Sequence, residues 1–299
     1  MEIYTIIVTY NSMHWAEKCF GSLQTSFAPT KVVAVDNGST DGTVPFIKTH
    51  YPDVHVIETG ENLGFAKANN IGIRYALDKR AEYVFLLNHD AWVEKETIGT
   101  LVQMMNNGER IGIVSPIHLT GDYSAIDSEF VLYMPHAFNV DKNHGALKDT
   151  YELYSVNAAA WMMNAKMIRE VGGFDTILFK HYGEDDNYCQ RVHYFKWMIA
   201  LCTTTTICHD RQKRVSSEIN YREGVLGQKL YAIEAKARMG DINRDVNIDY
   251  YILREFILMI GWGCLLKFDR AKRHKELCDA YKSVKISRRI NCKGGLLYL

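Results

Sequence analysis

The chain has no excess charge of either sign, no closely paired cysteines and no long apolar run. Lysine plus arginine and aspartate plus glutamate both total 35 among its 299 residues, so the net charge gives no reason to expect a nucleic-acid partner. The seven cysteines are scattered and none forms a C-x-x-C pair. This pattern disfavours a disulfide framework or a zinc ribbon and fits a reducing cytosol.

We also expect no signal peptide and no segment that crosses a membrane. The first residues carry no basic cluster, and their apolar run is too short for a signal peptide. The longest apolar stretch elsewhere, Phe256–Leu266, is shorter than the roughly 20 residues that a spanning helix needs. We therefore expect a cytoplasmic protein without a membrane-spanning segment.

Hydrophobic residues make up 47% of the chain, which is enough for a sizeable core. In the first half, β-rich segments alternate with segments whose apolar residues recur at helical spacing. Strands are predicted over Ile3–Val8, Lys31–Val35, Val54–Ile57 and Tyr83–Leu87, and helices over Ser12–Thr25, Thr40–His50 and Leu63–Asp78. Strands separated by helices predict an α/β fold with a mostly parallel sheet covered on both faces.

The second half has a mixed pattern that ends in helices. Strands are predicted near Ile113 and Val156 and over Trp197–Leu201, and helices over Ala165–Val171 and Glu184–Tyr194. Beyond about Tyr221 the chain is predicted to be helical almost to its end.

Polar clusters follow three of the predicted strands, at Thr9–Asn11, Asp36–Ser39 and Asn88–Asp90. In open α/β sheets, ligands bind in the crevice beyond the carboxyl ends of the strands. We therefore expect these three clusters to line one crevice.

Two aspartates at these strand ends are candidates for ligand contacts. The carboxylate of Asp36 can accept the N3–H of a uracil or thymine ring, although Asp36–Gly42 also has the composition of an ordinary turn. Asp90 is a candidate ligand for a hard divalent cation, because Mg²⁺ in proteins typically binds one or two carboxylates plus substrate phosphates. The alternative for Asp90 is an N-cap of a helix that starts near Glu94.

The densest acidic signal is Glu184-Asp185-Asp186, at the start of a predicted helix. Acidic residues there interact favourably with the helix dipole, and one carboxylate can also serve as a general base towards a hydroxyl. His209 follows a β-branched run and is either structural or a ligand. Cys208 beside it has no partner at zinc-binding spacing.

Six short segments occur in order along residues 3–216: V-T-Y-N at 8–11, V-D-N-G-S-T-D-G at 35–42, N-L-G-F-A at 62–66 with N-N-I-G at 69–72, L-L-N-H-D at 86–90, G-G-F-D at 172–175 and E-D at 184–185. With these segments the chain resembles the family 2 glycosyltransferases. It is most similar to the rhamnosyltransferase-like enzymes that build bacterial surface polysaccharides.

The resemblance implies a GT-A fold, in which a mostly parallel nucleotide-binding sheet is flanked by helices. We expect a catalytic domain over residues 1–220, with a nucleotide-binding half at 1–110 and an acceptor-binding half at 111–220. Residues 221–299 are then a helical C-terminal appendage.

The resemblance also implies roles for individual residues. Asp185 matches the catalytic base, Asp90 matches the last acid of the D-x-D metal motif, and His209 lies where many members have a histidine that helps to hold the metal or the diphosphate. Further candidates for nucleotide or donor contacts are Thr9, Tyr10, Asn11, Asp36, Asn62, Lys67 and Asn88. Candidates for acceptor or diphosphate contacts are Glu184, Arg191 and Trp161.

The chain departs from the family pattern in two places. Asn88 replaces the first acid of D-x-D and can offer only a neutral carbonyl oxygen, and His89 replaces the usual proline. Metal affinity before nucleotide binding is therefore expected to be weak. Residues Thr120–Tyr154 match no motif, and acceptor recognition is expected there.

The implied activity is inverting transfer of a hexose or deoxyhexose from a nucleotide-diphosphate sugar to a saccharide or lipid-linked acceptor, with Mg²⁺ or Mn²⁺. The alternative is a catalytically inactive protein of the same fold that binds nucleotide-sugars or carbohydrates. A nucleotidyltransferase is disfavoured because residues 3–20 lack a Gly-rich loop with arginine and lysine, and a processive synthase because Q-x-x-R-W is absent.

The C-terminal segment combines an apolar stretch, Ile252–Leu266, with a basic one. Lys267–Lys293 contains ten Lys/Arg residues and three Asp/Glu residues. An apolar helix followed by a basic helix suits peripheral docking on the anionic inner face of a membrane. The alternative is packing on the catalytic domain or on a second subunit, which would make a homodimer.

Overall fold

A computed structural model describes residues 1–179, 182–211 and 231–299, and its main feature is a mixed β-sheet with helices on both faces. The first half contains β1 Ile3–Thr9, α1 Met13–Gln24, β2 Lys31–Asp36, α2 Thr43–His50, β3 His55–Glu58, α3 Phe65–Asp78, β4 Tyr83–Leu87, β5 Ala91–Val93 and α4 Thr97–Asn107.

The second half completes the sheet and ends in helices. Its elements are β6 Ile111–Leu119, a 3₁₀ turn Phe130–Tyr133, α5 His136–Asn143, β7 Thr150–Glu152, β8 Ala160–Asn164, α6 Ala165–Val171, α7 Glu184–Tyr194, β9 Met198–His209, helical residues 231–240, α8 Ile248–Cys264 and α9 Phe268–Asn291.

Within the described residues, nine strands form one sheet in the order β3-β2-β1-β4-β8-β6-β9-β5, with β7 paired to β9. Strands β3, β2, β1 and β4 are parallel, whereas β8 is antiparallel to both of its neighbours, β4 and β6. The predicted parallel arrangement of the first strands is therefore present, and β8 adds the antiparallel pairs.

Side chains of β1 alternate between two hydrophobic clusters on the two faces of the sheet. Ile6 packs in the cluster that contains α3, and Ile7 packs in the cluster that contains α1. Helix α3 approaches β1 very closely at Gly72, where an added Cβ would lie 2.3 Å from Cγ2 of Ile6. This close packing explains the glycine in N-N-I-G.

One predicted strand is wrong. Val156 lies in a loop before β8. The backbone N–H groups that follow it donate hydrogen bonds to side chains and not to a neighbouring strand. The Ala158 N–H donates to Oδ2 of Asp185 at 3.0 Å, and the Ala159 N–H donates to Oδ1 of Asn157 at 3.4 Å.

Two residues within the recognised motifs hold the scaffold together. Asn70 on α3 makes a paired contact with the main chain of Phe174, at 2.7 Å to its N–H and 2.9 Å to its carbonyl oxygen. The fully buried Asp175 accepts hydrogen bonds from Ser287 and from Asn291 of α9. Asp175 thus ties the C-terminal helices to the sheet domain.

The C-terminal helices α8 and α9 form an antiparallel hairpin that packs on Leu178 and Phe179 through Ile248, Tyr281 and Val284. The predicted boundary between residues 220 and 221 lies outside the described residues. No helix in residues 1–179, 182–211 or 231–299 is both long and apolar enough to span a membrane.

Candidate active site

The ends of β1 and β2 lie side by side, because Thr9 is the register partner of Asp36. The Thr9 hydroxyl donates to Oδ1 of Asp36 at 2.8 Å, and the N–H groups of Gly38 and Ser39 donate to Oδ2 at 3.1 and 2.9 Å. Asp36 is buried, so its carboxylate orders the loop that follows β2. The turn interpretation of this motif therefore describes its local structure.

The neighbouring loop after β1 is fixed by the same segment. The Asn11 N–H donates to Oγ of Ser39 at 2.9 Å, and Oδ1 of Asn11 accepts the Thr40 N–H at 2.9 Å. These contacts hold Asn11 at a φ of +49°. Tyr10 is 42% exposed, so its ring is available to a ligand at this edge.

A third loop, between β3 and α3, adjoins these two. The N–H of Leu63 donates to Oδ1 of Asn37 at 3.4 Å, and Oδ1 of Asn62 accepts the Gly64 N–H at 3.0 Å. Both Asn62 and Lys67 are exposed. The structure thus brings the predicted nucleotide-contacting residues of β1, β2 and α3 to one edge of the sheet.

Asp90 and His209 meet at the other side of this edge. Strands β5 and β9 pair with Ala91 opposite His209, which places Nε2 of His209 at 3.3 Å from Oδ1 of Asp90. Both side chains are buried. The helix-cap alternative for Asp90 is wrong, because β5 follows Asp90 and Glu96 occupies the N-cap position of α4.

Arg211, which no motif indicated, contacts the other ring nitrogen of His209. Its Nε lies 3.2 Å from Nδ1 of His209 and 3.1 Å from Oδ2 of Asp127. If the Arg211 N–H donates to Nδ1 of His209, the His209 proton must be on Nε2. If the Arg211 N–H donates to Asp127 instead, the His209 proton can be on Nδ1, and Nε2 can then bind a metal. The arrangement therefore provides an alternative acceptor for Arg211 when His209 acts as a ligand.

Asp185 lies in the first turn of α7, after Gly183 at a φ of +94°. Its Oδ2 accepts the Ala158 N–H at 3.0 Å, and its Oδ1 has no hydrogen-bond partner among the described residues. Burial raises the pKa of Asp185, and the charge of Asp186 raises it further, whereas the Ala158 hydrogen bond and Arg211 lower it. The net direction is upward, as expected for a general base that acts near neutral pH.

Glu184 is buried beside Asp185. Burial raises the pKa of Glu184, and the charge of Asp185 contributes in the same direction. Its Oε2 has no hydrogen-bond partner in the described part of the chain. The two carboxyls thus share one poorly solvated site, which disfavours ionisation of both together.

A cleft of about 330 Å³ lies between the strand ends and α7, and neither Asp90 nor the residues at the ends of β1 and β2 are among those that line it. The cleft brings together Asn88, Glu184, Asp185 and His209 from the predicted set. Its walls also contain three residues that the sequence did not identify: Glu129, Tyr133 and Arg211. Glu129 and Tyr133 come from the segment without motifs, and only their position in the fold reveals them.

Arg191 and Trp161 do not contact this cleft, which corrects the prediction that they bind acceptor or diphosphate. Both side chains are fully buried. Arg191 donates to the carbonyl oxygens of Val171 and Gly173, and Trp161 stacks on Phe174 with ring centroids 5.9 Å apart. Their positions in α7 and β8 direct them into the core, where they support the G-G-F-D loop.

A divalent cation fits the donor groups at the end of β4. The Asp90 carboxylate and the Asn88 amide carbonyl offer hard oxygen donors, and Nε2 of His209 is a buried nitrogen 3.3 Å from Oδ1 of Asp90. The described residues contain no group of three or more His, Cys, Asp or Glu side chains that could hold a metal.

Comparisons with known proteins agree with this architecture. The family described as glycosyl transferase family 2 matches residues 4–172, more than half of the chain. The chain is 34% identical over 198 residues to the dTDP-rhamnosyl transferase RfbF of Shigella flexneri, a match that covers 63% of this chain and 62% of RfbF.

A second relative is the N-acetylglucosaminyl-diphospho-decaprenol L-rhamnosyltransferase of Mycobacterium tuberculosis. It is 29% identical over 132 residues, which is 41% of this chain and 43% of the relative. The chain thus spans less than two thirds of the length of each of these two relatives.

Solved structures show the same fold at low identity. TarS of S. aureus, residues 1–349, has a TM-score of 0.56 at 15% identity, covering 97% of this chain and 92% of TarS. The mannosyltransferase PcManGT of Pyrobaculum calidifontis, in complex with GDP-Man and Mn²⁺, has a TM-score of 0.58 at 16% identity, covering 98% of this chain and 87% of that one. These matches confirm the predicted GT-A fold, and the family match shows that the chain belongs to glycosyl transferase family 2.

Proposed function

We propose that this chain is an inverting, metal-dependent glycosyltransferase that acts on a nucleotide-diphosphate sugar. The observation that carries the proposal is that Asp185, Asn88 and His209 line the same cleft. A single displacement at the anomeric carbon requires a base near the acceptor hydroxyl and a positive charge near the leaving diphosphate, and one cleft can provide both.

The nucleotide is proposed to bind at the edge formed by β1, β2 and α3. The Tyr10 ring is exposed and can stack on the base, and Asn11, Asn62 and Lys67 are proposed to contact the nucleotide at the same edge. Thr9 and Asp36 are buried and hold this edge in shape through their mutual hydrogen bond of 2.8 Å.

Asp90 and His209 would hold Mg²⁺ or Mn²⁺ together with the donor diphosphate, and Asn88 would add a neutral oxygen. When bound, the cation offsets the negative charge that develops on the leaving diphosphate. Arg211 lines the same cleft, where its guanidinium is paired with the carboxylates of Asp127 and Glu129.

Asp185 is proposed to take the proton of the acceptor hydroxyl at Oδ1. The hydroxyl oxygen forms a bond to the anomeric carbon while the bond from that carbon to the diphosphate oxygen breaks, and nucleoside diphosphate leaves with the electron pair. One displacement inverts the anomeric configuration. Oδ2 stays on the Ala158 N–H, which fixes the direction of Oδ1.

The relatives suggest the substrate class. RfbF is named as a dTDP-rhamnosyl transferase, and the mycobacterial relative is named for rhamnosyl transfer to a diphospho-decaprenol saccharide. We therefore propose dTDP-rhamnose as donor and a saccharide or lipid-linked saccharide as acceptor, in cytoplasmic synthesis of a surface polysaccharide.

The test is donor consumption by the full chain. Nucleoside diphosphate release is measured for dTDP-, UDP- and GDP-sugars with Mn²⁺, with a bacterial lipid extract as the acceptor source. We expect release from dTDP-rhamnose that depends on Mn²⁺ and is lost in Asp90→Ala. Binding of a donor without release from any of them would contradict the enzyme proposal and favour the inactive alternative.

The tip of the α8–α9 hairpin, defined here as residues 256–275, supports peripheral membrane binding. Leu265, Leu266 and Phe268 are 65%, 73% and 67% exposed. The same segment contains one acidic residue, Asp269, and five Lys or Arg residues, namely Lys267, Arg270, Lys272, Arg273 and Lys275. Exposed apolar side chains among cations match an anionic bilayer, where each cation near the surface adds about 1 kcal/mol.

Vesicle flotation tests this contact. We expect the full chain to float with vesicles of phosphatidylglycerol and phosphatidylcholine, and the double variant Leu266→Glu, Phe268→Glu to stay unbound. Phe27→Glu is the control, because Phe27 is 70% exposed on the sheet domain. Equal flotation of all three proteins would contradict membrane docking, as would loss of a dimer in the tip variant, which would assign the tip to a second copy.

A further inference from the structure

A second and larger cavity, of about 630 Å³, lies between α7 and the C-terminal helices. Asp186 lines both this cavity and the cleft that contains Asp185. The second cavity therefore begins one residue from the proposed base and extends away from the donor side. Its volume is in the range of pockets that bind small organic ligands.

The walls of this cavity combine aromatic rings with polar groups of both signs. Tyr154, Tyr231 and Tyr281 supply three rings. The charged groups in the walls are three guanidinium and two carboxyl groups, those of Arg238, Arg254, Arg273, Asp186 and Glu234.

Two of the arginines already interact with protein groups. Arg254 donates to Oε1 of Glu255, which is buried and also contacts His274. Arg273 lies over the Tyr231 ring, at 4.8 Å from its centroid. The positive charge of the cavity is thus partly offset, both by its own carboxyls and by Glu255.

This balance decides between two classes of ligand. A diphosphate or another polyanion would approach two carboxyl groups as well as the arginines, which is unfavourable for Coulombic reasons. The hydroxyls of a neutral sugar can donate to carboxylates and accept from guanidinium groups, while its apolar ring face packs on tyrosine. The mixture of groups therefore suits a neutral saccharide.

We propose that this cavity is an acceptor subsite that binds the neutral saccharide portion of the acceptor and leads its reactive sugar past Asp186 to Asp185. The subsite rests on the proposed glycosyltransferase function and deepens it. It assigns part of acceptor recognition to the helical residues 231–240 and to α8 and α9, where Arg238, Arg254 and Tyr281 lie respectively. Of the segment Thr120–Tyr154, where acceptor recognition was expected, Tyr154 contributes to this cavity.

The subsite is tested by binding of neutral disaccharides to the full chain while dTDP and Mn²⁺ saturate the donor site. The probes are methyl glycosides of N-acetylglucosamine and rhamnose disaccharides, measured by saturation-transfer NMR titration. The test variants are Tyr154→Ala and Arg238→Gln, both at exposed side chains. Their matched controls, Tyr250→Ala and Arg74→Gln, alter exposed side chains outside the cavity.

We expect at least one disaccharide to bind saturably to the wild type and to both controls, and about tenfold more weakly to each test variant. Saturable binding by none of the probes, or equal affinity in the test variants, would overturn the subsite. Displacement of the sugar by inorganic pyrophosphate would identify an anion site and would also overturn it. Binding of dTDP is measured in the same samples, so failure of the subsite is distinguishable from failure of the donor site.

Discussion

Replacing Asp185 by asparagine isolates the proposed proton transfer from the structure around it. The asparagine carbonyl oxygen can still accept the Ala158 N–H, which now donates to Oδ2 at 3.0 Å. The amide at the position of Oδ1 cannot take a proton from an acceptor hydroxyl. General-base catalysis contributes about 10²–10⁴-fold, or roughly 3–5 kcal/mol of barrier, so turnover should fall by that factor.

The same substitution should leave nucleotide binding nearly unchanged, because Asp185 lies on the α7 wall and not at the edge formed by β1 and β2. Asp185→Glu is the informative partner, since it keeps a base but displaces it. Turnover is measured as nucleoside diphosphate release at saturating donor, and dTDP binding by titration calorimetry. Near-normal turnover of Asp185→Asn would refute the base assignment.

The substitution also has a consequence for stability. The pKa of Asp185 is raised above its unfolded value of 3.8, chiefly by burial. Because the folded pKa is the higher one, neutral Asp185 contributes to folding stability fully below the unfolded pKa. This contribution is lost as the pH rises through the folded pKa. Asp185→Asn should therefore melt at or above the wild-type temperature at pH 8, and the difference should shrink towards pH 4, where both side chains are neutral.

Three further predictions concern pH, the C-terminal anchor and close packing. As the pH is lowered, the rate should begin to fall at a pH above the pKa of an ordinary aspartate, because the pKa of the base Asp185 is raised. A pH–rate profile that stays flat down to pH 5 would contradict this. Asp175→Ala removes the buried partner of Ser287 and should lower the free energy of unfolding by about 2–4 kcal/mol. Urea denaturation measures this change, and a loss below about 1 kcal/mol would show that Asp175 does not anchor the C-terminal helices. Gly72→Val would place Cβ 2.3 Å from Cγ2 of Ile6 and should cost about 1–3 kcal/mol, whereas Gly99→Ala, with 3.7 Å to its nearest neighbour, should be tolerated.

Much of the first half of the fold could be predicted from the sequence, because each buried strand ends at a polar cluster. Tyr83–Leu87 was predicted with its observed limits, and so were the helices Ala165–Val171 and Glu184–Tyr194. The loop after Asp36 was also predictable, since its residues favour turns and the carboxylate accepts hydrogen bonds from them.

The remaining features depend on contacts that no local pattern encodes. Val156 has strand-like neighbours, but the main chain beside it bonds to Asp185 from another part of the sequence. Arg191 is of a residue type that often binds substrates, yet its guanidinium donates to carbonyl oxygens in the core. Arg211 and Glu129 enter the cleft only because β9 and the 3₁₀ turn meet there.

Asp90 and a diphosphate are proposed to hold a divalent cation together at the end of β4. The most direct measurement is calorimetric titration of dTDP into the full chain with and without Mn²⁺, for the wild type and Asp90→Ala. The proposed site predicts that Mn²⁺ tightens dTDP binding by about tenfold or more in the wild type and has little effect in Asp90→Ala. Equal dTDP affinity with and without Mn²⁺ in the wild type, or the same Mn²⁺ dependence in both proteins, would contradict it.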